Sequence, residues 1–175
     1  GEDVYWGTRL ACLEMIRSGT IAFSDMYFHM PEAARAVTEC GMKAVLAYGF
    51  IDLFEADRRE REIRATEEFA RRIETLRNPN IRAAVGPHAV YTVSREGLEW
   101  LAEFAAERDL GIHVHLSETE KEVQDSLRTF GVRPPRRLDD CGLLTPRTVA
   151  AHCNWVSRSD CALLAARGVH VAMNP

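Results

Sequence analysis

Several things are missing from this sequence, and each absence closes a class of function. No apolar run approaches the roughly 20 residues that a membrane-spanning helix needs, so no membrane partner is expected. The opening residues show no secretory leader. Lys and Arg number 22 against 26 Asp and Glu, a formal charge of −4. That balance gives no broad electrostatic case for binding nucleic acid. The five cysteines, Cys12, Cys40, Cys141, Cys153 and Cys161, contain no CxxC pair and are odd in number. This argues against a disulfide framework and for reduced thiols in a cytoplasmic protein. No GxGxxG or Walker loop is present, so nucleotide-binding open sheets lose their main support. Low-complexity tracts and short repeats are absent too.

What is there has ordinary globular composition. Over 175 residues, 46% are hydrophobic and 27% charged, enough for one domain with a real core. The chain opens on Gly1 and runs almost directly into a helical pattern. It stops at Met173-Asn174-Pro175, straight after an apolar run. The expectation is the interior of a longer polypeptide.

Short apolar runs alternate with longer amphipathic ones. Residues 4–18 place Leu10, Leu13 and Ile16 at helical spacing before Gly19 breaks the pattern. Thr20–Tyr27 reads as a strand. Pro31 opens a helix that Gly41 stops after Cys40. The remaining strands are Lys43–Phe50, Ile81–Val85, Gly111–Leu116, Thr148–His152 and Val169–Met173. The remaining helices are residues 55–77, a stretch from the N-cap Ser94 to about Arg108, Glu118–Phe130, 135–143 and 157–167. The charges in 55–77 read as a solvated helix face, and the methionines as core filler. The strands are nearly all apolar, which implies burial on both faces and a parallel sheet. Periodicity leaves two α/β architectures open: a doubly wound sheet and a (β/α)8 barrel.

The polar residues gather at strand ends. His88 follows Ile81–Val85. His113 and His115 lie on Gly111–Leu116, with Glu118 just beyond. His152 closes Thr148–His152, and Asp25 and Tyr27 close the first strand. In parallel α/β folds the C-terminal strand ends meet at one face, where active sites are built. Histidines and a glutamate at that face point to a hydrolytic metal site. A lone histidine in a buried strand is more often a satisfied core group. That reading is taken for His113, which lies deeper than His115, while His29 and His170 are read as structural. A glutamate three residues past a ligand can reach a metal-bound water, which makes His115 and Glu118 the sharpest local feature.

Three segments carry a resemblance: Gly86-Pro87-His88-Ala89-Val90-Tyr91-Thr92, His113-Val114-His115-Leu116-Ser117-Glu118-Thr119 and Ala150-Ala151-His152-Cys153. With Gly19-Thr20 through Ser24-Asp25-Met26-Tyr27, they resemble the amidohydrolase superfamily along essentially the whole chain. The closest branch holds S-adenosylhomocysteine/methylthioadenosine and 5′-deoxyadenosine deaminases and related chlorohydrolases. The resemblance implies a metal-dependent (β/α)8 TIM barrel, present here as about strands 2 to 7. Residues 1–175 would form its central part, with strands 1 and 8 and a small β-sandwich outside the chain.

The resemblance also implies roles. His115 matches a metal ligand, Glu118 the glutamate that shuttles a proton between the hydrolytic water and the substrate ring nitrogen, and His152 a histidine that orients that water. His88 matches a substrate-contacting histidine, and Arg58 or Arg59 a basic residue for the substrate tail. The implied cofactor is one divalent metal, Zn²⁺ in first place, with Fe²⁺ and Mn²⁺ compatible with similar ligands. The implied reaction is hydrolytic deamination of a purine nucleoside, a metal-activated water attacking the aminated ring carbon. The implied assembly is a homo-oligomer.

Two departures stand out. The family's HxH metal pair after its first strand and its eighth-strand aspartate are not in the sequence, and a zinc site of this kind normally needs three or more protein ligands. Tyr48 stands where members acting on S-adenosylhomocysteine often carry an arginine, and a phenol cannot make a bidentate ion pair with a carboxylate. This favours a smaller, uncharged 5′-substituent, as in adenosine, 5′-deoxyadenosine or methylthioadenosine. The alternatives are a chlorohydrolase or aminohydrolase acting on triazine-like or guanine-like rings, and an inactive scaffold or interaction fragment of such a barrel.

Overall fold

The computed structural model describes residues 1–174; Pro175, the last residue of the expected domain, lies outside them. The chain alternates helix and strand throughout: α1 (Glu2–Arg17), β1 (Ala22–Tyr27), α2 (Met30–Cys40), β2 (Lys43–Phe50), α3 (Ala56–Leu76), β3 (Ile81–Pro87), α4 (Arg95–Glu107), β4 (Gly111–Leu116), α5 (Glu120–Phe130), α6 (Pro134–Asp140), β5 (Thr148–His152), α7 (Arg158–Ala166) and β6 (His170–Ala172). Among the described residues no helix is long and apolar enough to cross a membrane.

All adjacent strands pair in parallel, and their spatial order is β1-β2-β3-β4-β5-β6, the order of the sequence. This decides between the two architectures. A doubly wound sheet reverses its strand order at a switch point, whereas unbroken sequential winding with right-handed crossovers puts every helix on one face. The result is a curled sheet of the (β/α)8 type, helices outside and a strand face inside.

Period-2 alternation sorts the side chains between these faces. Ile112, Val114 and Leu116 of β4 join Phe50, Val85, Leu98, Leu101 and Ala150 in a core beneath the outer helices. Cys12, Met30, Ala34, Val37, Leu46 and Phe69 form a second core where α1, α2 and α3 cover β1 and β2. His113 and His115 therefore point to the inner face.

Local chemistry sets the helix ends. Gly41 and Gly131 take left-handed φ of 73° at the C-caps of α2 and α5, a conformation glycine adopts without a Cβ penalty. Ser94 accepts from the Gly97 amide at the start of α4, and Ser157 with Asp160 forms a capping box at α7.

Three expectations are corrected. Helix α5 starts at Glu120, because Thr119 is its N-cap and accepts from the Glu122 amide; Glu118 thus sits in the turn before the helix. Burial on both faces fails at the sheet edges, since no residue of β1 or β6 is buried and neither strand has an outer neighbour among the described residues. In α1 the apolar spacing is real, but Trp6, Leu10, Leu13 and Ile16 are 51–58% exposed. The side of α1 that packs carries Tyr5 and Cys12 instead.

Candidate active site

Three strand ends converge. Gly86 at the end of β3 passes so close to β2 that a Cβ there would lie 2.4 Å from the Tyr48 carbonyl oxygen. Only glycine lets β3 reach Pro87 and His88 in this register. The His88 and His115 rings are 5.1 Å apart between centroids, and His115 and His152 are 5.6 Å apart. His152 has the strand parity of Ala150, which packs outward. Left-handed φ values of 73° at His152 and 55° at Cys153 break the alternation, and the imidazole ends beside His115. Its Nε2 lies 3.7 Å from Glu118 Oε1.

The tautomers follow from the hydrogen bonds. His115 Nδ1 is 2.9 Å from the His88 carbonyl oxygen. A carbonyl only accepts, so Nδ1 carries the proton and Nε2 keeps its lone pair. Thr92 donates its single hydroxyl hydrogen to the Ala89 carbonyl at 3.2 Å. It must then accept from His88 Nδ1, 2.8 Å away, which leaves His88 Nε2 as an acceptor as well. Burial first, and the neighbouring His115 second, hold the His88 pKa below its ordinary value. His113 behaves as a buried structural histidine: its Nδ1 meets Ser24 Oγ at 3.0 Å, and burial lowers its pKa to about 4.

Glu118 is held by its backbone. The Glu122 carboxylate, buried at the start of α5, accepts from the Ser117 amide at 2.9 Å and the Glu118 amide at 2.8 Å. Burial raises the Glu122 pKa. Ser117, fully buried with a φ of 49°, is thereby fixed in a left-handed turn that sends Glu118 towards His152. Sequence reading missed Glu122; the signal was an acidic residue three positions past the cap Thr119, the spacing of a capping box.

His88, His115, Glu118 and His152 are thus brought together, and the other expected residues are not. Tyr48 has the parity of Leu46 and Phe50, so it faces the helices, packed against the α2 core. Burial first, then Glu62, pushes its phenol up to about 12. Glu62 on α3 has its own pKa raised by burial, with Tyr48 and Arg58 acting in the opposite direction. Arg58 donates through Nε to the Ile51 carbonyl at 2.7 Å. Tyr48, Glu62 and Arg58 therefore form a second polar cluster behind β2. Arg59 is committed elsewhere, 3.3 Å from Ser94 Oγ and 3.9 Å from Glu96. Asp25 and Tyr27 share the parity of Phe23, which packs on the α1–α2 core; the period of the strand puts them on the face away from the histidines.

Among the described residues no group of three or more His, Cys, Asp or Glu side chains converges to hold a metal ion. The free Nε2 of His115 suits a divalent ion as one ligand. A metal bound there would take its further ligands from outside these residues.

A sequentially wound parallel sheet with histidines and a glutamate at its C-terminal rim is the architecture of a barrel hydrolase. The Amidohydrolase family profile matches residues 1–175, and the chain belongs to that family. The 5′-deoxyadenosine deaminase of Methanoregula boonei is 60% identical over 174 residues, spanning 99% of this chain and 39% of the relative. The 5-methylthioadenosine/S-adenosylhomocysteine deaminase 1 of Archaeoglobus fulgidus is 45% identical over 172 residues, 98% of this chain and 40% of the relative. An adenosine deaminase from Xanthomonas campestris with bound zinc superposes with a TM-score of 0.89 at 33% identity, covering 99% of this chain and 40% of that structure. A zinc-bound atrazine chlorohydrolase from Arthrobacter aurescens, at 22% identity, a TM-score of 0.87 and coverage of 99% and 43%, shares the fold. The chain spans about two fifths of the length of the curated relatives it matches.

Proposed function

We propose that the chain is the central part of a hydrolytic deaminase of adenine nucleosides, of the 5′-deoxyadenosine or methylthioadenosine type. The observation that carries this is the convergence of His88, His115, His152 and Glu118 at one rim, with His115 and His88 both presenting a bare Nε2. The identities of the relatives support the substrate class.

A divalent metal, Zn²⁺ in first place, would supply Lewis-acid activation of water when held in part by His115. The chain's own residues divide the remaining work. Glu118, 42% exposed on its side chain and backed by His152, accepts a proton from water and returns it to the purine ring nitrogen beside the amine. His152 Nε2, 3.7 Å from Glu118 Oε1, helps orient the water that Glu118 deprotonates. His88, neutral because burial lowers its pKa, offers Nε2 to a donor on the substrate.

The 5′-group is read from Tyr48 only through the sequence, which carries a tyrosine where relatives acting on S-adenosylhomocysteine often hold an arginine. A phenol cannot make a bidentate ion pair with an amino-acid carboxylate, which favours an uncharged 5′-group. A substrate panel tests the proposal. Ammonia release from 5′-deoxyadenosine and methylthioadenosine, exceeding that from S-adenosylhomocysteine, supports it. Chloride release from chlorotriazines without ammonia from any nucleoside overturns it in favour of a chlorohydrolase.

A further inference from the structure

We propose that Asp52 is a positioning residue for this site, acting through the loop that carries His88. The proposal rests on the reading of His88 as a substrate contact. Asp52 is fully buried and lies two residues past the end of β2. Its Oδ1 accepts from the Ser94 amide at 2.8 Å and the Phe54 amide at 2.9 Å. Its Oδ2 accepts from the Ser94 hydroxyl. Ser94 also caps α4, accepting from the Gly97 amide at 3.1 Å. The packing is tight enough that a Cβ on Gly97 would lie 2.7 Å from Asp52 Oδ2.

This carboxylate joins the loop after β2 to the loop after β3. Two main-chain bonds run beside it: Leu53 N–H to the Thr92 carbonyl at 3.0 Å, and His88 N–H to the Phe50 carbonyl at 3.2 Å. Thr92 holds His88 Nδ1, and the His88 carbonyl holds His115 Nδ1. A connected series of hydrogen bonds and short backbone links thus leads from Asp52 through Thr92 to two rings of the site. Leu53 and Phe54 have left-handed φ values of 49° and 65°, a conformation large side chains rarely adopt. The Asp52 bond to the Phe54 amide holds that turn. If Asp52 served stability alone, its loss would lower the melting temperature and leave the rings of the folded protein as they are. If it positions His88, its loss frees the Thr92 hydroxyl, and the His88 tautomer changes.

The test reads the imidazole nitrogens of the metal-free protein by long-range ¹H–¹⁵N correlation. In the wild type, His88 and His115 should both show the Nδ1–H tautomer. In Asp52→Ala, His88 should become a mixture of tautomers, while His113, held by Ser24, stays unchanged as an internal reference. An unaltered His88 in folded Asp52→Ala overturns the proposal, as does an equal change at His113. Should Asp52→Ala fail to fold, Ser94→Ala removes the hydroxyl link, along with the α4 cap and the Arg59 contact, and keeps the Ser94 amide bond to Asp52; a smaller change at His88 supports the proposal and none overturns it. In turnover, Asp52→Ala should raise KM for 5′-deoxyadenosine about tenfold with kcat little changed. Asp52→Asn, which keeps Oδ1 as an acceptor, should recover part of that loss. A wild type that deaminates no adenine nucleoside would sink the functional reading, while the tautomer result would still decide the role of Asp52.

Discussion

The His88 carbonyl oxygen accepts twice from one residue, from the His115 amide at 3.1 Å and from His115 Nδ1 at 2.9 Å. The backbone of one strand end thereby sets both the position and the tautomer of the histidine on the next. Ligating histidines are commonly oriented through their second nitrogen in this way. Because the acceptor belongs to the main chain, it survives removal of the His88 side chain.

Replacing His88 with Ala should therefore raise KM for the nucleoside and leave metal content unchanged. Metal analysis beside steady-state kinetics separates the two effects. A parallel loss of metal would show that the His88 side chain, rather than its carbonyl, organises His115.

In the proposed mechanism, Glu118→Gln removes the group that accepts and returns the proton. Turnover should fall by about 10²–10⁴-fold, with KM little changed. Near-normal kcat in this variant would remove Glu118 from the proton pathway.

Gly86→Ala puts a methyl group into the β2 backbone, 2.4 Å from the Tyr48 carbonyl oxygen. The expected cost is at least about 2 kcal/mol, within the range for overpacking. Gly111→Ala is the control, because its Cβ would meet neighbours only at 3.6 and 3.7 Å. Urea midpoints for both variants check the contrast, and equal midpoints would contradict the close approach.

The Tyr48 phenol, raised to about 12 by burial and then by Glu62, should ionise well after an ordinary tyrosine, whose pKa is about 10. The fold favours the protonated form. Its contribution to stability is present below pH 10 and is lost as pH rises from there through 12. Absorbance titration should show this late step. Glu62→Gln should move it down part of the way, since burial remains. A Tyr48 that titrates with exposed phenols would contradict the cluster behind β2.

Much of this was legible in the sequence, and the misses share a cause. Strand and helix positions followed from apolar runs and from Gly and Pro punctuation. His88, His115, Glu118 and His152 were singled out because strand ends collect chemistry in parallel α/β folds, and the structure brings the four together at one rim. Asp25 and Tyr48 were misplaced because a strand end has two faces, and only their partners Phe23 and Leu46, packed on helices, reveal which is which. The exposed stripe Trp6, Leu10, Leu13 and Ile16 shows that spacing locates a helix face without naming what covers it. Asp52 and Glu122 stayed hidden because their work is to accept main-chain amides, which leaves no spacing signature beyond the cap.

The most direct test of the central claim is the fate of the purine during turnover of 5′-deoxyadenosine in ¹⁸O-labelled water by the metal-loaded protein. Hydrolytic deamination predicts one ammonia released per turnover and a 6-oxopurine nucleoside carrying one oxygen from solvent, with both signals lost in Glu118→Gln. Absence of ammonia from every adenine nucleoside offered, or a product without solvent oxygen, would contradict it.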